Sequence, residues 1–169
     1  MRSKTKKIVF LGLLASLAMV LSYIEMLLPP IYSAFPGIKM GLPNIVIIFT
    51  LYKMGLKEAA TVSFVRIVCV SHLFGTPLTL AYSIAGGLLS LMMMAILKKT
   101  DRFSTVGVSV AGGISHNVGQ ILVAILLLKR VELGFYLIIL AVTGTVAGIL
   151  IGLTGAYLLK KLTRFDPTK

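Results

Sequence analysis

Residues 133–159 read LGFYLIILAVTGTVAGILIGLTGAYLL, twenty-seven positions without one charged side chain. A helix needs about 20 mostly apolar residues to cross the ~30 Å of a bilayer's hydrocarbon. This run is long enough, and it is followed at once by Lys160 and Lys161. Its glycines Gly144, Gly148 and Gly152, with Ala156, recur every fourth residue and so share one face of a helix. In lipid such a face lets two backbones approach closely. The segment therefore predicts a membrane helix that packs against another helix.

The rest of the chain repeats this pattern. Further apolar runs at 8–28, 41–52, 58–74, 78–97 and 106–128 bring the candidate spans to six. The second is too short by itself and must borrow from its flanks or lie shielded among neighbours. PPIYSAFPGIKM, residues 29–40, carries three prolines and predicts a non-helical loop. FGTP, residues 74–77, predicts a tight turn with Pro77 at the start of the next helix. The basic N-terminal segment leads into an apolar run too long for a signal-peptide core, so it reads as an uncleaved first span.

Composition agrees. Hydrophobic residues make up 57% of the 169 and charged residues 13%, with a mean hydropathy of +1.00. Soluble domains are nearer a quarter charged. The expectation is one all-α integral membrane domain, residues 1–169, in the cell membrane. The net charge of +12 does not point to nucleic acid, because the cations flank apolar runs instead of forming one basic face. With the N-terminus cytoplasmic, thirteen Lys and Arg fall on the inside. Lys39, Lys129 and Arg130 fall outside, and Arg66 falls within the membrane. That asymmetry predicts six spans with both termini in the cytoplasm.

Ionisable and amide side chains at membrane depth are costly and mark candidate sites. Arg66 stands nine residues past Lys57, ~14 Å into its span, and His116 ~16 Å into its own. Glu25 lies ~26 Å along the first span, towards the outer face. Ser115, His116, Asn117 and Gln120 crowd into six residues, and His116 and Gln120 share a face. Lys39, Asn44, Tyr82 and Ser83 fall in the same outer half, while the inner halves are almost wholly apolar. The pattern predicts an outward-facing polar pocket built from Glu25, Lys39, Asn44, Arg66, His116, Asn117 and Gln120. Its cations favour an anionic ligand or a polar ring.

Several chemistries are disfavoured. There is no phosphate-cradling G-x-x-x-x-G-K-[ST] loop. No His/Cys cluster has metal-ligand spacing, and the one cysteine, Cys69, sits in an apolar run. The two aspartates, Asp101 and Asp166, are isolated, so no paired Asp-rich motif exists to hold magnesium diphosphate. The reading is of a non-catalytic protein without a cofactor or metal.

LSYIEMLLPP, GIKMGLPNIV, the arginine of VSFVRIV, IAGGLLSLMMMAILKK and GVSVAGGISHNVGQILVA together resemble the Gx transporter family. That family is also catalogued as heptaprenyl diphosphate synthase component I, and the resemblance runs over about residues 15–157. The family is similar in turn to the substrate-binding S-components of energy-coupling factor (ECF) transporters. The S-component likeness implies a six-helix bundle that binds a vitamin-like small molecule. It also implies a transmembrane T-component and two cytoplasmic ATPases as partners. S-components dock through small residues on their first helix, where this chain offers Gly12, Ala15, Ser16, Ala18 and Ser22 in place of the usual Ala-x-x-x-Ala. The older name implies instead a non-catalytic membrane partner of the synthase, of quinone biosynthesis or of a membrane redox system.

Overall fold

The computed structural model describes residues 2–27 and 41–162. Lys39 and the prolines of the first loop lie outside them. Among the described residues six α-helices follow one another: α1 (Arg2–Leu27), α2 (Asn44–Lys53), α3 (Leu56–Phe74), α4 (Pro77–Lys99), α5 (Thr105–Leu128) and α6 (Tyr136–Lys161). A 3-10 turn, Val131–Phe135, leads into α6. No strand occurs among the described residues. Four of the helices, α1, α4, α5 and α6, are long and apolar enough to cross a membrane. α3 has 19 residues and carries Lys57, Glu58 and Arg66. α2 has only 10 residues, ~15 Å of rise.

The junctions follow local chemistry. Gly55, between α2 and α3, sits at φ 113°, a conformation that a Cβ would strain. Thr76 caps α4: its hydroxyl accepts from the Thr79 amide at 3.2 Å, and Thr79 Oγ1 accepts from the Thr76 amide at 2.7 Å. Pro77 follows at the first position, where its missing N–H costs nothing. The Ser104 side chain caps α5 through the Gly107 amide at 3.1 Å.

Successive helices run in alternating directions. α5 lies antiparallel between α4 and α6 and packs on both. At one end of the bundle Lys7 of α1 pairs with Glu58 at the start of α3. There too, Lys98 of α4 donates to the Leu51 carbonyl of α2 at 2.6 Å and lies over the Tyr52 ring. Lys53, Lys57, Lys99, Lys160 and Lys161 gather at this basic end.

The α5–α6 seam is the one anticipated from the glycine spacing. A Cβ on Gly148 would lie 2.6 Å from Val110 Cα, and one on Gly152 would lie 2.7 Å from Val106 Cα. α2 resolves the puzzle of its length by burial on all sides. Val46 to Leu51 are buried without a break, the mark of a helix enclosed by others. The apolar core joins these residues to Leu14, Ala15 and Ala18 of α1, Ala59 and Val62 of α3, Leu91 and Met94 of α4, Val108 and Ile151. It fills the half of the bundle nearer the basic end, which leaves the polar side chains to the other half.

Candidate functional site

Glu25, Asn44, Arg66, His116, Asn117 and Gln120 line one cavity in that second half. Each arrives on a different part of the frame. Glu25 is near the end of α1, Asn44 opens α2, and Arg66 is midway along α3. His116, Asn117 and Gln120 come from one face of α5. Ser83 of α4 joins them, and Gly113, Gly144 and Gly148 form a glycine-lined wall on the α5–α6 side.

Room for the polar face depends on absent side chains opposite it. A Cβ on Gly86 of α4 would fall 2.9 Å from the His116 ring and 3.0 Å from Gln120 Cγ. One on Gly144 would fall 2.8 Å from the Asn117 amide nitrogen.

Arg66 is the charge at the centre. Its Nε is buried and has no hydrogen-bond partner among the described residues. Glu25 is close enough to act on it electrostatically, and the Glu25 carboxylate also accepts from the Gly41 amide. A second cavity lies on the other side of Arg66 and again includes Glu25 and Ser83. It runs past Ser22, Ser71 and Thr79 towards the α3–α4 turn. Tyr23 of α1 and Phe74 of α3 meet at that end with ring centroids 5.2 Å apart. The closed centre of each cavity has space for a few water molecules.

Asn117 also ties helices together: its Nδ2 donates to the Leu140 carbonyl of α6 at 2.6 Å, and the residue is 9% exposed. Ser115 is buried but does not line the cavity. The small residues of α1 divide. Ala15, Ala18 and Ser22 are buried in the bundle, whereas Gly12 and Ser16 are exposed and linked by a 2.9 Å bond from Ser16 Oγ to the Gly12 carbonyl. His72 is exposed and Cys69 is a free, partly buried thiol. Among the described residues no three His, Cys, Asp or Glu side chains cluster as metal ligands.

The site set drawn from sequence omitted Ser83 and the glycine wall. Gly113 precedes Asn117 by four residues and so shares its face, which was the available signal. That Gly86, Gly144 and Gly148 make space for this face depends on which helices are neighbours.

The family described as heptaprenyl diphosphate synthase component I matches this chain over residues 14–158, most of its length, and the chain belongs to that family. No curated protein and no solved structure matches it.

Proposed function

Starting from membership of the heptaprenyl diphosphate synthase component I family, we propose that the chain is a non-catalytic, substrate-binding membrane subunit of a small-molecule uptake transporter. Arg66 carries the reading. Arg66 is partly buried, and its buried, unpaired Nε stands on the wall of a cavity to which Glu25, Asn44, His116, Asn117 and Gln120 also contribute. A charge at such depth is costly and is kept where it has a task. The surrounding amides and imidazole supply donors and acceptors to orient a polar ligand.

In this reading all six α-helices lie in the cell membrane, with α2 and α3 sheltered by their neighbours. The basic end faces the cytoplasm, as the excess of lysines there favours, and both termini are cytoplasmic. The cavity half faces outward. Energy comes from partners, a T-component and cytoplasmic ATPases of an ECF module. The first helix docks them through the surface around Gly12 and Ser16, with Ala15, Ala18 and Ser22 packed beneath it.

The test is mass spectrometry of small molecules retained by the full chain in mild detergent, followed by uptake in proteoliposomes with and without ECF partners. Wild-type protein should retain a ligand that Arg66→Gln loses. Equal retention by both proteins, together with recovery of no complex, would sink the reading.

The family description favours a second reading, a membrane partner subunit of a heptaprenyl diphosphate synthase or of quinone biosynthesis. It predicts that a soluble prenyl synthase co-purifies with the chain and that Arg66→Gln leaves this association intact.

A further inference from the structure

The groove where α1 and α6 part over α2 is lined by apolar side chains such as Leu17 and Phe49 and selects no particular occupant. The cavity between α1, α3 and α4, on the other side of Arg66, is different. It reaches the surface at Phe74 and Gly75, both exposed, and extends inward to Arg66. Hydroxyls from three helices line it: Ser22 of α1, Ser71 of α3, and Thr79 and Ser83 of α4. Ser22 and Thr79 donate to the Ala18 and Thr76 carbonyls, each at 2.8 Å, and are held in place by those bonds. Ser71 and Ser83 add hydroxyls that can donate to a ligand.

Charge is shared unevenly between the two cavities that meet at Arg66. Glu25 borders both, but its carboxylate accepts from the Gly41 amide, and Gly41 borders the first cavity and not the second. The carboxylate is therefore drawn towards the first cavity, where the amides of Asn44, Asn117 and Gln120 also stand. Around the second cavity the guanidinium stands among hydroxyls and apolar side chains such as Ile67 and Val70. Its Nε has no hydrogen-bond partner among the described residues. Nε and a terminal nitrogen form the edge of a guanidinium that takes a carboxylate or phosphate side-on, and in surroundings of low polarity that attraction is strong.

We infer that the cavity between α1, α3 and α4 is an oxyanion subsite. Arg66 and Ser83, which border both cavities, hold a carboxylate or phosphate group of the ligand there. The amides of the first cavity hold its uncharged polar part, and Ser71 stands on the way in from the α3–α4 turn. The few water molecules that the closed centre can hold are what such a group displaces. The ligand as cargo rests on the transport reading, whereas the preference for an anion can be measured without a transport step.

The experiment uses the full chain in phosphatidylcholine nanodiscs. Cys69→Ala removes the native thiol, and Ser71→Cys introduces one reporter thiol in the cavity. Its rates with a sulfonate-bearing and a trimethylammonium-bearing methanethiosulfonate give an anion preference. Leu78→Cys, at the same end of the bundle, 41% exposed and outside the cavity, reports the general surface potential. Arg66 stands five residues from Ser71, ~7.5 Å of rise, so Ser71→Cys should prefer the sulfonate about ten-fold more than Leu78→Cys does. Arg66→Gln should remove that excess and Arg66→Lys should keep it. Acetate or inorganic phosphate, at constant ionic strength, should slow the reaction of Ser71→Cys and leave that of Leu78→Cys unchanged, and the more effective anion identifies the group. Equal preference at the two reporters would overturn the inference, as would an excess that survives Arg66→Gln or protection by neither anion. The transport reading fails separately, when no ligand is retained and no uptake occurs while the anion preference stands.

Discussion

Replacing Gly148 by alanine places one methyl group at the closest point of the α5–α6 seam. The new Cβ would sit 2.6 Å from Val110 Cα and 3.1 Å from the Ser109 carbonyl oxygen. Comfortable carbon–carbon contact begins near 3.5 Å, so α6 must retreat by about 1 Å. Backbone cannot turn aside as a flexible side chain does, and the retreat loosens the neighbouring contact of Gly152 with Val106 as well. Overpacking of this kind costs about 1–3 kcal/mol, against a gain of up to ~1 kcal/mol from alanine's better helix propensity. The net expectation is destabilisation by about 1–2 kcal/mol. Reversible unfolding in mixed micelles, followed by the near-ultraviolet circular dichroism of the tyrosines, measures it. The control is Gly12→Ala, where nothing lies within 4 Å of the added carbon. It should be neutral or slightly stabilising. If Gly148→Ala proves as stable as Gly12→Ala, the seam is not close-packed as described and the reasoning fails. Gly148 also lines the polar cavity, so the displaced helix should shift ligand affinity, whereas Gly12→Ala should not.

Other perturbations separate structural from functional roles. Asn117→Leu removes the donor to the Leu140 carbonyl and should cost about 0.6–1.7 kcal/mol; Asn117→Asp, which sets a carboxylate against that carbonyl, should cost more, and the reverse order in unfolding titrations would exclude the bond. A double-mutant cycle over Glu25→Gln and Arg66→Gln should yield a coupling of about 0.5–3 kcal/mol, and additive effects would show that the two charges ignore each other. The Lys7–Glu58 pair at the basic end, with side chains 40% and 15% exposed, should contribute about 0.2–1 kcal/mol. Half-molar salt should erode that coupling; persistence at full strength would mean the pair is shielded from solvent.

Much of this architecture was legible residue by residue. Helix limits followed the apolar runs closely: 58–74 became Leu56–Phe74 and 106–128 became Thr105–Leu128. Capping explains the agreement, since Thr76, Pro77 and Ser104 act within one turn of themselves. The first turn was less legible, and α1 begins at Arg2 instead of residue 8, because lysines are good helix formers and charge alone does not end a helix. α2 was read as a run of awkward length. Only its neighbours reveal that it is enclosed. The candidate site divides in the same way. Polar residues at membrane depth name themselves, because the solvent there penalises them. The glycine wall does not, because small residues announce close packing without saying what they pack against.

Sequence by itself determined the class of protein, the order of its helices and the half of the bundle in which polar groups gather. These depend on how each residue interacts with lipid, with water or with its own helix turn, and those interactions are local. Tertiary structure decided that Glu25 of α1 comes within electrostatic reach of Arg66 of α3, that Asn117 uses its amide nitrogen on α6, and that α1 and α6 part to leave an apolar groove. Such outcomes depend on which faces meet across 23 or more residues of chain. A helix pattern gives a direction around its own axis, but packing in three dimensions chooses the partner.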